Sequence, residues 1–136
     1  MAVIVLTDVA VTINAVGLAS KATSATLTYE KEAVESTAFG GGGVRSFTAG
    51  LTNLTCEITL NQDFAANETE ATIYPLVGTT TTVVLKPTSG AVGATNPSYT
   101  LTGTYLASHT PINGGVGEMS TTVLTFQGGT LTKATA

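Results

Sequence analysis

The stretch Asn53-Leu-Thr-Cys-Glu-Ile-Thr-Leu-Asn-Gln-Asp-Phe-Ala-Ala-Asn-Glu-Thr-Glu-Ala-Thr-Ile-Tyr-Pro-Leu-Val-Gly78 decides how the rest of the chain is read. Its first half alternates. Leu54, Cys56, Ile58 and Leu60 fall on one side, and Thr55, Glu57, Thr59 and Asn61 on the other. A period of two is the pattern of a half-buried strand. The second half predicts a short helix within Asn67 to Tyr74. Asn67 stands where a side chain can accept from a free first-turn amide, and Glu70 completes a capping-box-like pair. Glu68 and Glu70 lie near the positive end of the helix dipole. Pro75 and Gly78 end the helix within about two turns.

Outward from this stretch, everything reads as strand. Val3 to Leu6 and Val9 to Ala15 predict two strands with a turn near Asp8, and Gly17 breaks the pattern. Ala22 to Glu35 alternates over a long run and pairs in expectation with Leu51 to Gln62. Between them lies a loop containing Gly40 to Gly43, four consecutive residues that lose much backbone entropy on ordering. Thr79 to Lys86, Ser98 to Ser108, Met119 to Phe126 and Thr130 to Lys133 supply the remaining strands, separated by Gly/Pro/Asn turn clusters. The predicted class is mostly β: an antiparallel β-sandwich or partly open barrel with one short helix and a long β-hairpin loop. The expected core comprises Leu27, Tyr29, Leu54, Cys56, Ile58, Leu60, Ile73, Leu85, Leu101, Leu124 and Phe126.

The 136 residues fit one domain spanning 1–136, with enough apolar content for a core. Charged residues are only 10% of the chain, and Thr fills most polar positions. A surface so poor in charge points to coverage by partners. The net charge of −4 and the five basic residues, Lys21, Lys31, Arg45, Lys86 and Lys133, leave no basic stripe for phosphates. Cys56 is the sole cysteine, so no intrachain disulfide forms. The apolar opening, Met1 to Ala22, lacks a basic start and is interrupted by Asp8, Thr12 and Asn14. It reads as strand rather than as a signal peptide, and no run reaches membrane-helix length.

Motifs with chemistry are missing from the expectations: no catalytic, cofactor-binding or metal residues are assigned. Gly40 to Gly43 is followed by no Gly-Lys-Ser/Thr. His109, the sole histidine, sits beside a turn cluster and reads as a loop or surface residue. One His and one Cys are a poor metal set. Glu30 and Glu32 face water or an acidic channel more readily than they form an acid/base pair. The triplets Asn53-Leu-Thr and Asn67-Glu-Thr match a glycosylation pattern that a Thr-rich chain produces by chance.

Three groups of words carry a resemblance. The chain opens Val-Ile-Val-Leu-Thr-Asp before Val-Thr-Ile-Asn. Its middle reads Gly50-Leu-Thr-Asn-Leu-Thr-Cys-Glu-Ile-Thr-Leu-Asn-Gln-Asp-Phe-Ala and Ala71-Thr-Ile-Tyr-Pro-Leu-Val-Gly-Thr. The end has Ala94-Thr-Asn-Pro-Ser-Tyr and Gly114-Gly-Val-Gly-Glu-Met-Ser-Thr. Over nearly its whole length the chain resembles tail tube (major tail) proteins of long-tailed bacteriophages. The resemblance implies a virion protein of the tail, made in the bacterial cytoplasm, whose partners are itself and other tail proteins. It implies rings, usually hexameric, stacked into a hollow tube through which DNA passes without specific binding, and no membrane role. The loop between Glu35 and Leu51 fits the long-loop position of such proteins. Phe39, Val44, Arg45 and Phe47 become the expected subunit or ring-stacking contacts. Thr28, Glu30, Glu32, Thr55, Glu57 and Thr59 become the expected lumen lining. A capsid decoration or cementing protein, and a secreted adhesin or pilin-like subunit, stand as alternatives.

Overall fold

The computed structural model describes residues 3–136. Strand β1 is Ala10–Ile13, β2 Val16–Gly17, β3 Ala22–Glu35, β4 Phe47–Asn61, β5 Thr80–Lys86, β6 Ser98–Ser108, β7 Thr121–Gln127 and β8 Thr130–Ala134. One α-helix, α1, spans Thr69–Ile73, and 3-10 turns occupy Phe39–Gly41 and Tyr74–Leu76. All strand pairings are antiparallel, in the order β2-β1-β5-β6-β7-β4-β3, with β8 also paired to β6. The sandwich-or-barrel expectation resolves into one sheet that folds over its own core and stays open.

The fold-over is made where β6 changes partners. Tyr105 to Ser108 pair with β7, whereas Ser98 to Thr102 pair with β8 along the same edge. The chain passes from β7 to β8 through Gly128 and Gly129, both at positive φ. At Gly129 the backbone of Thr102 to Thr104 is so close that a Cβ would stand 2.7 Å from the Thr102 carbonyl oxygen. Only glycine meets both conditions, the left-handed backbone and the contact.

Side chains from both halves of the sheet meet in one cluster: Val11 and Ile13, Leu54 to Leu60 on alternate positions, Val83 and Leu85, Leu101 and Leu106, Leu124 and Phe126. Ile73 of α1 and Leu18 complete it. Burial pushes the Cys56 thiol up to about 12, which makes it an inert core group. Two expected core residues lie elsewhere. Tyr29 is 56% exposed and Leu27 is only partly buried. Both stand over the open side of the sheet, in a cleft shared with Leu85, Tyr99 and Leu131. Beyond Asp8 toward the amino terminus the expected strand is absent. Val3 to Leu6 form no ladder, and Val3 is 91% exposed.

Gly129→Ala should cost at least about 1–3 kcal/mol from the positive φ alone, with the backbone contact adding to it. The expected readout is a drop in thermal midpoint of several degrees, whereas Gly17→Ala, in open space, should shift it far less.

Candidate assembly surfaces

The β3–β4 hairpin is longer than the core it grows from. β4 pairs with β7 only from Thr55 to Asn61, so Phe47 to Asn53 have β3 as their single neighbour among the described residues. Both faces of this outer half are largely exposed, from Glu30 to Glu35 and from Phe47 to Asn53. A two-stranded ribbon with no core beneath it is marginal on its own. The half therefore forms an arm, and its apolar side chains, Val34, Phe39, Val44, Phe47 and Leu51, are exposed. Phe47 does begin the following strand, but at 58% exposure it does not pack in its own core.

The glycine run closes the tip. Phe39–Gly41 make a 3-10 turn, and Gly42 and Gly43 are left-handed at φ 67° and 82°. Ser36 N–H donates to the Ser46 carbonyl, Ser46 N–H donates to Thr37 Oγ1, and Thr37 donates to Glu35 at 2.9 Å. The expected long loop from Ser36 to Gly50 is thus shorter, with β4 starting at Phe47. The four expected contact residues, Phe39, Val44, Arg45 and Phe47, gather at this tip and are all exposed.

The opposite face of the β4 alternation is a polar sheet. Thr28 faces Thr55, Thr26 faces Glu57, Ser24 faces Thr59 and Glu30 faces Asn53. On the β7 side, Thr55 faces Gln127, Glu57 faces Thr125 and Thr59 faces Val123. Five of the six expected lining residues, Thr28, Glu30, Thr55, Glu57 and Thr59, share this face. Glu32 lies at the register shift between Lys31 and Ala33, where the hairpin passes onto the arm. No Lys or Arg stands among these residues. At the margin, β3 ends the sheet, leaving one edge of 14 residues without a partner among those described.

At the far end of the sheet from the arm lies a polar cluster that sequence reading missed. His109 is not a surface residue: its side chain is 2% exposed. Its Nε2 lies 2.8 Å from Glu70 Oε1, and its Nδ1 lies 2.7 Å from Thr122 Oγ1. Thr122 also accepts from Thr110 N–H at 3.2 Å, and Gln62 Nε2 donates to Glu70 and to the Pro111 carbonyl. The order carboxylate, imidazole, hydroxyl has the form of a nucleophilic relay. Thr122 is wholly buried, however, so no substrate reaches its oxygen. The cluster instead fastens α1 to the ends of β6 and β7. Its members are 39 and 13 positions apart in sequence, and no local motif signals them.

The same cluster explains the helix start. Asn67 has φ 64° and does not cap; Glu68 is the N-cap residue and offers no side-chain bond. Glu70 N–H donates to the Asp63 carbonyl, and the Glu70 carboxylate goes to His109 rather than back to the helix. Asp63 pairs with Lys21 at 2.9 Å. The Ala65 amide, then Lys21, hold the Asp63 carboxyl below its ordinary 3.8.

No family model matches the sequence, and no curated protein matches it. Solved structures do. The first is described as "Cryo-EM structure of the anti-feeding prophage cap (AFP tube terminating cap)". It superposes with a TM-score of 0.73 at 15% identity, over 100% of this chain and 93% of that one. Another is a chain of an extracellular contractile injection system, "PVC sheath/tube terminator in extended state", at TM-score 0.70 and 12% identity, covering 98% and 97%. A third is from the "Tail of empty GTA particle computed with helical refinement, C6 symmetry", at 0.55 and 18%, covering 85% and 83%. The fold is that of phage-like tail tube and terminator chains. At these identities the similarity is one of fold. Among the described residues no helix is long and apolar enough to cross a membrane.

Two outcomes check the cluster. Thr122→Val strands the His109 ring nitrogen and the Thr110 amide, and should cost about 1–3 kcal/mol in denaturant unfolding. The folded pKa of Asp63 is depressed, so its contribution is present above 3.8 and is lost as pH falls through the folded value. Wild type should therefore lose thermal stability below pH 3.8 by a step that Asp63→Asn lacks.

Proposed function

We propose that the chain is a structural subunit of a phage-like tail, polymerising into stacked rings that form a hollow tube for DNA. The observation that carries this reading is the arm: a two-stranded extension, apolar at its tip, that its own domain leaves uncovered. Burying Phe39 and Phe47 against another copy contributes roughly 1.5–3 kcal/mol each. The unpaired edge of β3 offers backbone donors and acceptors to a lateral neighbour in the same ring. The similar fold of a tube-terminating cap and of a tail with C6 symmetry supports rings of six. The chain acts as scaffold rather than enzyme, in the virion tail, with copies of itself and other tail proteins as partners.

The polar face of β3, β4 and β7 suits the lumen. Glu30 and Glu57 repel phosphate weakly, and the Thr and Asn side chains around them offer neutral hydrogen bonds. A lining of Lys or Arg would release counterions and hold the DNA. Capsid decoration and exported adhesins are the competing uses of a low-charge β chain, and assembly form separates them.

Negative-stain microscopy of purified wild type should show stacked rings with a central channel. Isolated trimers or monomers would overturn the reading. Glu30→Lys with Glu57→Lys should still fold, since exposed charge changes are typically worth under ~0.5 kcal/mol. The assembled variant should retain DNA in a salt-sensitive manner where wild type does not. Normal DNA passage through the variant would show that this face is not the lumen.

A further inference from the structure

The two ends of the β3–β4–β7 sheet carry matched loops. At one end is the arm tip, Ser36 to Ser46, with Phe39 and Val44 exposed and Arg45 as its sole charge. At the other is the loop Thr110 to Ser120, with Ile112, Val116 and Met119 exposed and Glu118 as its sole charge. The second loop is fixed to the end of β4 by Gln62 N–H donating to the Ser120 carbonyl and Gln62 Nε2 donating to the Pro111 carbonyl, and it is closed at the start of β7 by Thr121 N–H donating to the Asn113 carbonyl. The 14 steps of β4 between Phe47 and Asn61 separate the two loops by about 46 Å. Among the described residues neither Arg45 nor Glu118 has an ion-pair partner.

We infer that the Thr110–Ser120 loop is the receiver for the arm tip of a second copy, with Arg45 pairing to Glu118 and the apolar side chains of both loops packed around that pair. This inference rests on the proposed stacked assembly and names the surface it uses. Charge complementarity selects this occupant. The receiving end also carries Asp63, Glu68 and Glu70 against Lys21, so it is acidic overall and favours the arginine-bearing tip. The two partners of the contact lie at opposite ends of one subunit. Head to tail, such a contact is heterologous: each added copy keeps a free tip at one end and a free loop at the other, so the contact repeats from copy to copy along an axis. Glu118 accepts from Gly115 N–H at 3.0 Å through Oε2, which shapes the loop and leaves Oε1 for the guanidinium. An arginine fork then adds orientation to attraction.

A charge-swap series with sedimentation as the readout tests it. Arg45→Glu and Glu118→Arg should each fold, by circular dichroism melts, yet remain unpolymerised where wild type sediments as a polymer. The double variant Arg45→Glu with Glu118→Arg should regain polymer. Glu118→Gln keeps an acceptor for Gly115 and removes only the charge. It should raise the polymerisation threshold about tenfold, and it decides the matter if the reversals fold poorly. Mixing Arg45→Cys with Glu118→Cys protein under oxidising conditions should give a mixed disulfide dimer, since buried Cys56 does not compete. Polymer from Glu118→Arg at the wild-type threshold, or no recovery in the double variant, would overturn the receiver while leaving the stacked assembly standing. A wild type that never polymerises would instead overturn the stacked assembly and the receiver with it.

Discussion

The strict alternation of β4 is the constraint on which the structure depends. Leu54, Cys56, Ile58 and Leu60 bury one face, and the residues between them keep the other polar. A one-residue slip would exchange the two faces, so the register with β3 and β7 is pinned by burial. β7 pairs along the inner half of β4, and α1 contributes Ile73 to the core that this half buries. Because β4 is twice as long as β7, its outer half leaves the core behind, and the arm follows from that mismatch.

Much of this was legible in the residues. The hairpin strands, the helix, the class and most of the core followed from periodicity and from Pro, Gly and Asn punctuation. The expected polar-face residues do fall together, because period two places them without knowledge of the fold, and the expected tip residues do so because they lie in or beside one connecting loop. What escaped was of longer range. Tyr29 and Leu27 alternate correctly, but periodicity cannot say where the sheet opposite them stops. Asn67 and Glu70 have the spacing of a cap, but Glu70 is claimed by His109 across 39 residues. A buried partner of that kind outcompetes a local cap, and nothing near either residue announces it. Val3 to Leu6 have strand composition without a strand to pair with.

The two ends of the domain differ in how they are held. The end bearing α1 is cross-braced by Glu70, His109, Thr122 and Gln62, with Lys21 and Asp63 closing its rim. Buried polar groups that are all partnered rigidify a site. Among the described residues the arm end has ladder bonds, one exposed side-chain bond from Lys31 to Thr52, and the small turn network of Ser36, Thr37 and Ser46. A stiff end and a compliant one within a single subunit suit a contact in which one surface adapts to the other.

Arg45 is the chain's sole arginine, and it sits on the exposed tip of the arm. An arginine-specific protease therefore has one possible cut in the chain. That cut would leave two fragments still joined through the core, with the hairpin opened at its turn. The rate of nicking becomes a direct gauge of how often the tip is uncovered, obtained from unlabelled protein without altering a residue.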